Sequence, residues 1–198
     1  MEEDTQKFPI QLIRAEIVPD SIDEENRTVD VVFGTEAMVR RRTWKGTYFE
    51  QLSFDPSAVR MGRLQSGRAP LLDNHDYWSG VRAGQIGVVL SAEIKGKKGH
   101  AKVKYSRRED VEPIWQDVKD GICRNISVGY NVYEYEITEK EEGPDVYRAT
   151  DWEPYEISNV TIPADMDAFI RSEVPKNAPY NIVSISSQPS KLPNMSEE

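Results

Sequence analysis

The sequence is short of the residues from which disulfides and metal centres are built: it holds one cysteine, Cys123, and two histidines, His75 and His100. A single cysteine excludes an internal disulfide and fits a reducing compartment. The histidines lie far apart in the chain, and neither HExxH nor CxxC occurs. A zinc site has to be assembled from His75, His100 and scattered carboxylates, a poor match to ligand spacing, so no metal or other cofactor is expected. Positive charge is scarce as well: 25 lysines and arginines stand against 34 acidic residues, a formal charge of -9. A broad nucleic-acid-binding surface needs clustered cations against phosphates, and the one dense basic cluster, Arg40-Arg41-Arg42, reads as a solvated loop. No apolar run approaches a membrane span. Met1-Glu2-Glu3-Asp4 is acidic, whereas a secretory signal begins basic and then turns apolar. These absences point to a soluble protein made in the cytoplasm, with neither nucleic acid nor membrane as partner.

What the sequence does contain is a series of short apolar segments punctuated by turns, in a chain of 198 residues that can bury one core. Strands are expected over 8–18 and 28–33, then over 47–54 and 69–73. Asp55-Pro56 offers an N-cap and a first-turn proline for a short helix to about Leu64. Residues 87–94 and 100–105 flank Lys95-Gly96-Lys97-Lys98-Gly99, a hairpin with a glycine-rich basic turn. Ser106 and Glu109 have capping-box spacing, and Val111, Ile114, Trp115 and Val118 form one apolar stripe. Gly121 stands where a C′ glycine ends a helix. Strands follow over 126–137, 146–151 and 155–162. The fold class is mainly β with peripheral helices (α+β), an antiparallel barrel or sandwich. From Glu173 proline and serine replace periodic apolar residues, so 1–172 is expected to be the folded domain and 173–198 a flexible Pro/Ser-rich tail.

The segment that concentrates chemistry is Asn125-Ile126-Ser127-Val128-Gly129-Tyr130. Ile126, Val128, Tyr130 and Val132 alternate with Ser127, Gly129, Asn131 and Tyr133, the pattern of a strand with one face in the core. Ser127 falls on the other face beside Gly129, which leaves room for another backbone to approach closely. A serine hydroxyl is a weak nucleophile until a base in hydrogen-bond reach takes its proton, and the base needs a third group to fix its tautomer. His75, in a polar turn after the strand 69–73, is the better base; His100 sits in a hairpin strand and reads as half-exposed. Glu156 alternates onto the face of Ser158 and Val160, and an inward carboxylate wants a partner. Asp151 is the main rival for that role and Asp76 a weaker one. Cys123, at a helix-to-strand junction, reads as packing. Each residue also has an ordinary role open to it: a capping histidine, a locally bonded strand serine, a solvated carboxylate.

Taken in order, Leu71-Leu72-Asp73-Asn74-His75-Asp76, Gly84 and Gly87, Asp120-Gly121-Ile122 leading to Ile126-Ser127-Val128-Gly129-Tyr130, and Glu156-Ile157-Ser158-Asn159-Val160-Thr161-Ile162-Pro163-Ala164 resemble the signature blocks of the tailed-phage prohead (capsid maturation) serine proteases. Those proteases are relatives of the herpesvirus assemblins. The resemblance covers residues 33–172 and implies an assemblin-like Greek-key β-barrel surrounded by a few α-helices. It also implies Ser127 as nucleophile and His75 as base. The assemblins use a second histidine as third member, after the serine in chain order. No histidine follows His100 here, so the role passes to Glu156. Arg171 and nearby backbone amides are candidates for an oxyanion hole. The implied activity is cleavage of the scaffolding segment of the major capsid protein, and of the protease itself, inside the assembling prohead in the host cytoplasm. A homo-oligomer, a dimer by analogy with the assemblins, is part of that implication. Two competing readings are a non-catalytic internal scaffold with the protease fold and a metal-dependent nuclease using His75 with Asp73 and Asp76.

Overall fold

The computed structural model describes residues 21–43, 46–162 and 169–170. The strand expected over 8–18, Arg171 and the tail from Glu173 lie outside the described residues. In chain order the elements are β1 (Thr28–Thr35), β2 (Met38–Thr43), β3 (Gly46–Leu52), α1 (Gly62–Gln65), β4 (Pro70–Asp73), α2 (Gly80–Ala83), β5 (Gln85–Lys95), β6 (Lys98–Tyr105), α3 (Glu112–Lys119), β7 (Ile126–Thr138), β8 (Val146–Asn159) and β9 (Phe169–Ile170). The protein is mainly β with few helices, as the turn-punctuated apolar segments imply. No helix among the described residues is long and apolar enough to cross a membrane.

All the described strands join one sheet in the order β2-β3-β8-β4-β5-β6-β1-β9, with β7 on the other edge of β8. β8 is the hub. β7 pairs antiparallel along its length, while its opposite edge is shared. The first half takes β3 in parallel, Phe49 to Leu52 against Val146 to Ala149, and the second half takes β4 in parallel, Leu71 to Asp73 against Ile157 to Asn159. The strands expected separately over 146–151 and 155–162 are therefore one strand. Pro154, which has no N–H to give, is tolerated because it sits at a register shift between β7 and β8. The hydrogen-bonded path is open among the described residues, whereas the resemblance implies a closed Greek-key barrel; β1 and β7 pack beside each other without a ladder between them.

The core follows from strand alternation. Val29, Val31 and Phe33 of β1, Ile86 and Val89 of β5, and Val103 and Tyr105 of β6 all point into it. Trp152 of β8 is fully buried at its centre, edge-on to Phe54 and Tyr130, and its indole N–H donates to the Ser53 carbonyl at 2.8 Å. The β5–β6 hairpin turns at Gly96 and Lys97, with φ of +59° at each, the positive pair of a type I′ turn.

Three local expectations are corrected. The capping box at Ser106 and Glu109 does not form: α3 starts later, with Pro113 in its first turn, and Ser106 Oγ accepts from the Arg108 amide instead. Its end is as expected, because Gly121 at φ +68° lets Gly121 N–H reach the Val118 carbonyl and Ile122 N–H reach the Asp117 carbonyl. Asp55-Pro56 opens a turn rather than a helix. The Asp55 carboxylate accepts from both the amide and the hydroxyl of Ser57, a local alternative to helical bonding, and α1 is confined to Gly62–Gln65. Finally, Arg40-Arg41-Arg42 belongs to strand β2, not to a solvated loop.

Candidate active site

The parallel pairing of β4 with β8 decides where His75 goes. Leu72 lies opposite Ser158 and Asp73 opposite Asn159, and the pairing is continued by the Asn74 amide donating to the Asn159 carbonyl at 2.7 Å. The chain then turns sharply through Asn74 and His75, at φ +50° and +60°. Two successive non-glycine residues in the left-handed region are a strained arrangement that the surroundings must hold. They do so by side-chain hydrogen bonds. The His75 amide donates to Ser158 Oγ at 3.1 Å, and His75 Nδ1 lies 2.6 Å from Glu156 Oε1. Ser158 Oγ in turn donates to Glu156 Oε2 at 2.6 Å. The strained turn, the imidazole and the carboxylate are thus locked by one serine.

The antiparallel pairing of β7 with β8 brings in Ser127. Ser127 is opposite Ser158, and Gly129 is opposite Glu156. Directly opposed residues share a face, so Ser127, Gly129, Glu156 and Ser158 lie on one side of the sheet. Both faces of this stretch are covered: Glu156 is 2 % exposed and Ser158 not at all, while Ile126 and Ile157 fill the core on the reverse side. The one-sided burial read from the alternation holds only further along β7. Gly129 is needed for space, although what approaches it is a side chain and not a backbone. A Cβ there would lie 2.2 Å from Glu156 Oε1. Gly129→Ala is therefore expected to push the carboxylate aside and destabilise the fold by about 1–3 kcal/mol, the usual cost of overpacking. A denaturant melt measures this, and an unchanged midpoint would mean that Glu156 relocates freely.

Ser127 and His75 line the same cavity, of about 150 Å³. Among the described residues no hydrogen bond joins Ser127 Oγ to the imidazole, and such bonds are often long until substrate is bound. The His75 side chain is 40 % exposed, so one side of the ring is open while the other rests on a buried carboxylate. A carboxylate only accepts, which fixes the proton on Nδ1 and leaves the Nε2 lone pair free to take a proton. An imidazole with that tautomer can act as a base, and Ser127 lines the same cavity.

The rival residues are engaged elsewhere. Asp151 is clamped by Arg60, Nε at 2.6 Å and Nη2 at 2.5 Å, away from His75. Asp76 caps the amides of Trp78 and Ser79. Cys123 Sγ accepts from Asn159 Nδ2 at 3.1 Å, and burial pushes its thiol pKa up, so it is held in the unreactive protonated form. His100 lies on β6 across from Val32 and Glu93, with its Nε2 3.2 Å from the Lys95 carbonyl. Among the described residues no three His, Cys, Asp or Glu side chains gather into a group that holds a metal, Asp73, His75 and Asp76 included.

Two features escaped the sequence reading. Ser158 is one; its place on the face of Glu156 was legible, but not its link to the His75 backbone. The other is a polar cluster around the buried Glu50 at the end of the cavity. Glu50, 6 % exposed, accepts from Arg41 Nε at 2.8 Å and from the hydroxyls of Tyr130 and Tyr135; Arg41 Nη2 also donates to Tyr130 at 2.7 Å. Burial opposes its charge, but the bonds from Tyr130, Tyr135 and Arg41 outweigh that and hold the Glu50 carboxyl below the usual range. The available signal was the alternation of β2, which sends Arg41 to the face opposite Arg40 and Arg42.

A buried carboxylate on a histidine, with a strand serine lining the same cavity, is compatible with hydrolytic chemistry, and comparison with known proteins narrows the class. The chain belongs to the caudovirus prohead serine protease family, whose sequence model matches residues 31–180. It is 41 % identical over 123 residues to a protein named major capsid protein from Halomonas phage phiHAP-1, covering 62 % of this chain and 20 % of that one. It is also 31 % identical over 103 residues to a capsid polyprotein of Pseudomonas phage PAJU2, covering 50 % of this chain and 14 % of the polyprotein. The chain thus spans a fifth or less of the length of these curated relatives. No solved structure matches.

Proposed function

We propose that this chain is a serine endopeptidase of phage prohead maturation that cuts the scaffolding segment of the major capsid protein and also cuts itself. Ser127 serves as nucleophile, His75 as general base and Glu156 as the acid that orients it. The observation that carries the reading is the buried Glu156 carboxylate on His75 Nδ1, set one strand away from Ser127. In the first step Ser127 Oγ attacks a peptide carbonyl carbon as His75 Nε2 takes the hydroxyl proton. The imidazolium so formed is stabilised by Glu156. The same proton passes to the leaving amine as the C–N bond breaks. Water, deprotonated by His75, then hydrolyses the acyl-enzyme and restores Ser127.

The substrate assignment draws on the relatives. In both, the matching stretch is a minor part of a protein named for the capsid, which favours capsid polypeptide as the material cut and cleavage within or beside the protease's own chain. The Pro/Ser-rich stretch from Glu173 is the reading's candidate for self-cleavage, and dimerisation is part of the same reading. So is the assemblin-like Greek-key arrangement of the strands.

The test is intact-mass analysis after co-expression with the partner capsid protein: shortened products dependent on Ser127 are expected, and full-length masses in assembled shells would favour the non-catalytic scaffold. The acid assignment has its own control. Asp151→Asn should release Arg60 yet leave cleavage within about twofold of wild type, as for a surface change away from the site. A large loss would return Asp151 to the triad in place of Glu156.

A further inference from the structure

The cavity that Ser127 and His75 share extends past them, between β1, β2, β3 and β7. We infer that it is the subsite receiving the substrate side chain on the acyl side of the scissile bond, and that it selects an uncharged aliphatic or aromatic side chain. This inference rests on the protease reading above.

Placement comes first. The carbonyl carbon attacked by Ser127 is bonded directly to the Cα that bears this side chain. The side chain must therefore enter space within a few bonds of Ser127 Oγ, and the cavity lined by Ser127 and His75 is such a space. Size comes second. Its volume is about 150 Å³, and apolar cavities of about that size hold a benzene-sized guest. Leucine, methionine and phenylalanine side chains match it, while glycine and alanine leave it largely empty.

Charge decides the class. The walls are mostly apolar, formed by Phe33, Ala37, Val39, Leu52 and Val128, with Thr35 the one further polar residue outside the catalytic pair and the Glu50 cluster. The polar end is closed electrostatically. Glu50 is matched by the Arg41 guanidinium, and its two oxygens already take three donors, from Arg41, Tyr130 and Tyr135. A lysine or arginine side chain entering here finds no unpaired carboxylate to offset its desolvation. An aspartate or glutamate meets Glu50 and an arginine already engaged. The cluster acts as a charge-balanced floor, and selection is left to shape and apolar contact.

The experiment is cleavage-site profiling of the full chain on a library of proteome-derived peptides, with Ser127→Ala as background. New C-termini should be dominated by leucine, methionine and phenylalanine, with lysine, arginine, aspartate and glutamate at least tenfold below them. Ala37→Leu fills the cavity from the turn between β1 and β2, and Val39→Phe does so from β2 should the first variant fold poorly. Each should shift the preference toward alanine and glycine by about tenfold or more, the range in which one or two methylenes discriminate. A profile favouring charged residues overturns the inference. So does Ser127-dependent cleavage with a profile unmoved by both variants, and in that case the protease reading stands. Absence of any Ser127-dependent cleavage, on peptides and on capsid protein alike, overturns both.

Discussion

Ser127→Ala is expected to lower peptide-bond cleavage by about four to six orders of magnitude, the loss seen when a catalytic serine is removed from comparable enzymes. The fold should hardly notice. Ser127 is nearly buried, but among the described residues no side-chain hydrogen bond depends on its hydroxyl. Ser158, across the strand pair, makes the bonds to the His75 amide and to Glu156. Unfolding free energy should stay within about 1 kcal/mol of wild type. That separation makes the variant informative in the assembled particle. Shells that form normally but retain full-length capsid protein would show that the serine does the cutting. Processing at the wild-type rate would remove Ser127 from the mechanism, and Cys123, with its thiol kept protonated by burial, is a poor replacement.

Glu156→Gln is expected to cost about four orders of magnitude in cleavage rate while leaving the site's volume unchanged. The two carboxylate oxygens have different clients, His75 Nδ1 on Oε1 and the Ser158 hydroxyl on Oε2. An amide has one acceptor. If its oxygen serves Ser158, its NH₂ faces Nδ1, which must then carry the lone pair; the proton moves to Nε2 and His75 can no longer take one from Ser127. If its oxygen serves His75, the Ser158 proton loses its acceptor in a site with no exposure. Either way catalysis or the turn that holds His75 suffers. Glu156→Ala is less informative, because it opens a cavity and strands both partners at once. The measurement is the single-turnover rate against pH for both proteins, with circular dichroism as the check on folding. A Glu156→Gln protein that cuts as fast as wild type, with an unchanged pH profile, would leave His75 without its proposed acid.

Most of the sheet's strands were legible because each carries its own local signal; β2 and β9 were not. The hairpin of β5 and β6 announces itself through Gly96, and the end of α3 through Gly121, since only certain residues adopt positive φ without strain. Helix starts were less legible. Asp55 and Ser106 are residues that cap helices and equally bond their own turns, and only the surrounding packing chose the second use. The triple arginine misled in the same way: composition marks it as solvated, whereas pairing with β3 puts Arg41 on Glu50.

For the candidate site, the sequence by itself determined the parts: a strand serine followed by glycine, a histidine at a strand end, and a carboxylate that alternates inward. It also determined the family, because ordered blocks survive without knowledge of the fold. The tertiary structure decided which parts meet. β8 takes β4 on one edge and β7 on the other, so residues remote in the chain are brought beside Glu156 by two ladders whose registers no local pattern specifies. It separated the surroundings of Glu156 and Asp151, placing the first on His75 and the second on Arg60. It alone created the Ser158 link and the Glu50 floor of the cavity. The physical reason is common to all three. Alternation fixes which face a side chain takes, but its partners across a sheet are set by long-range pairing, which depends on the whole chain folding at once.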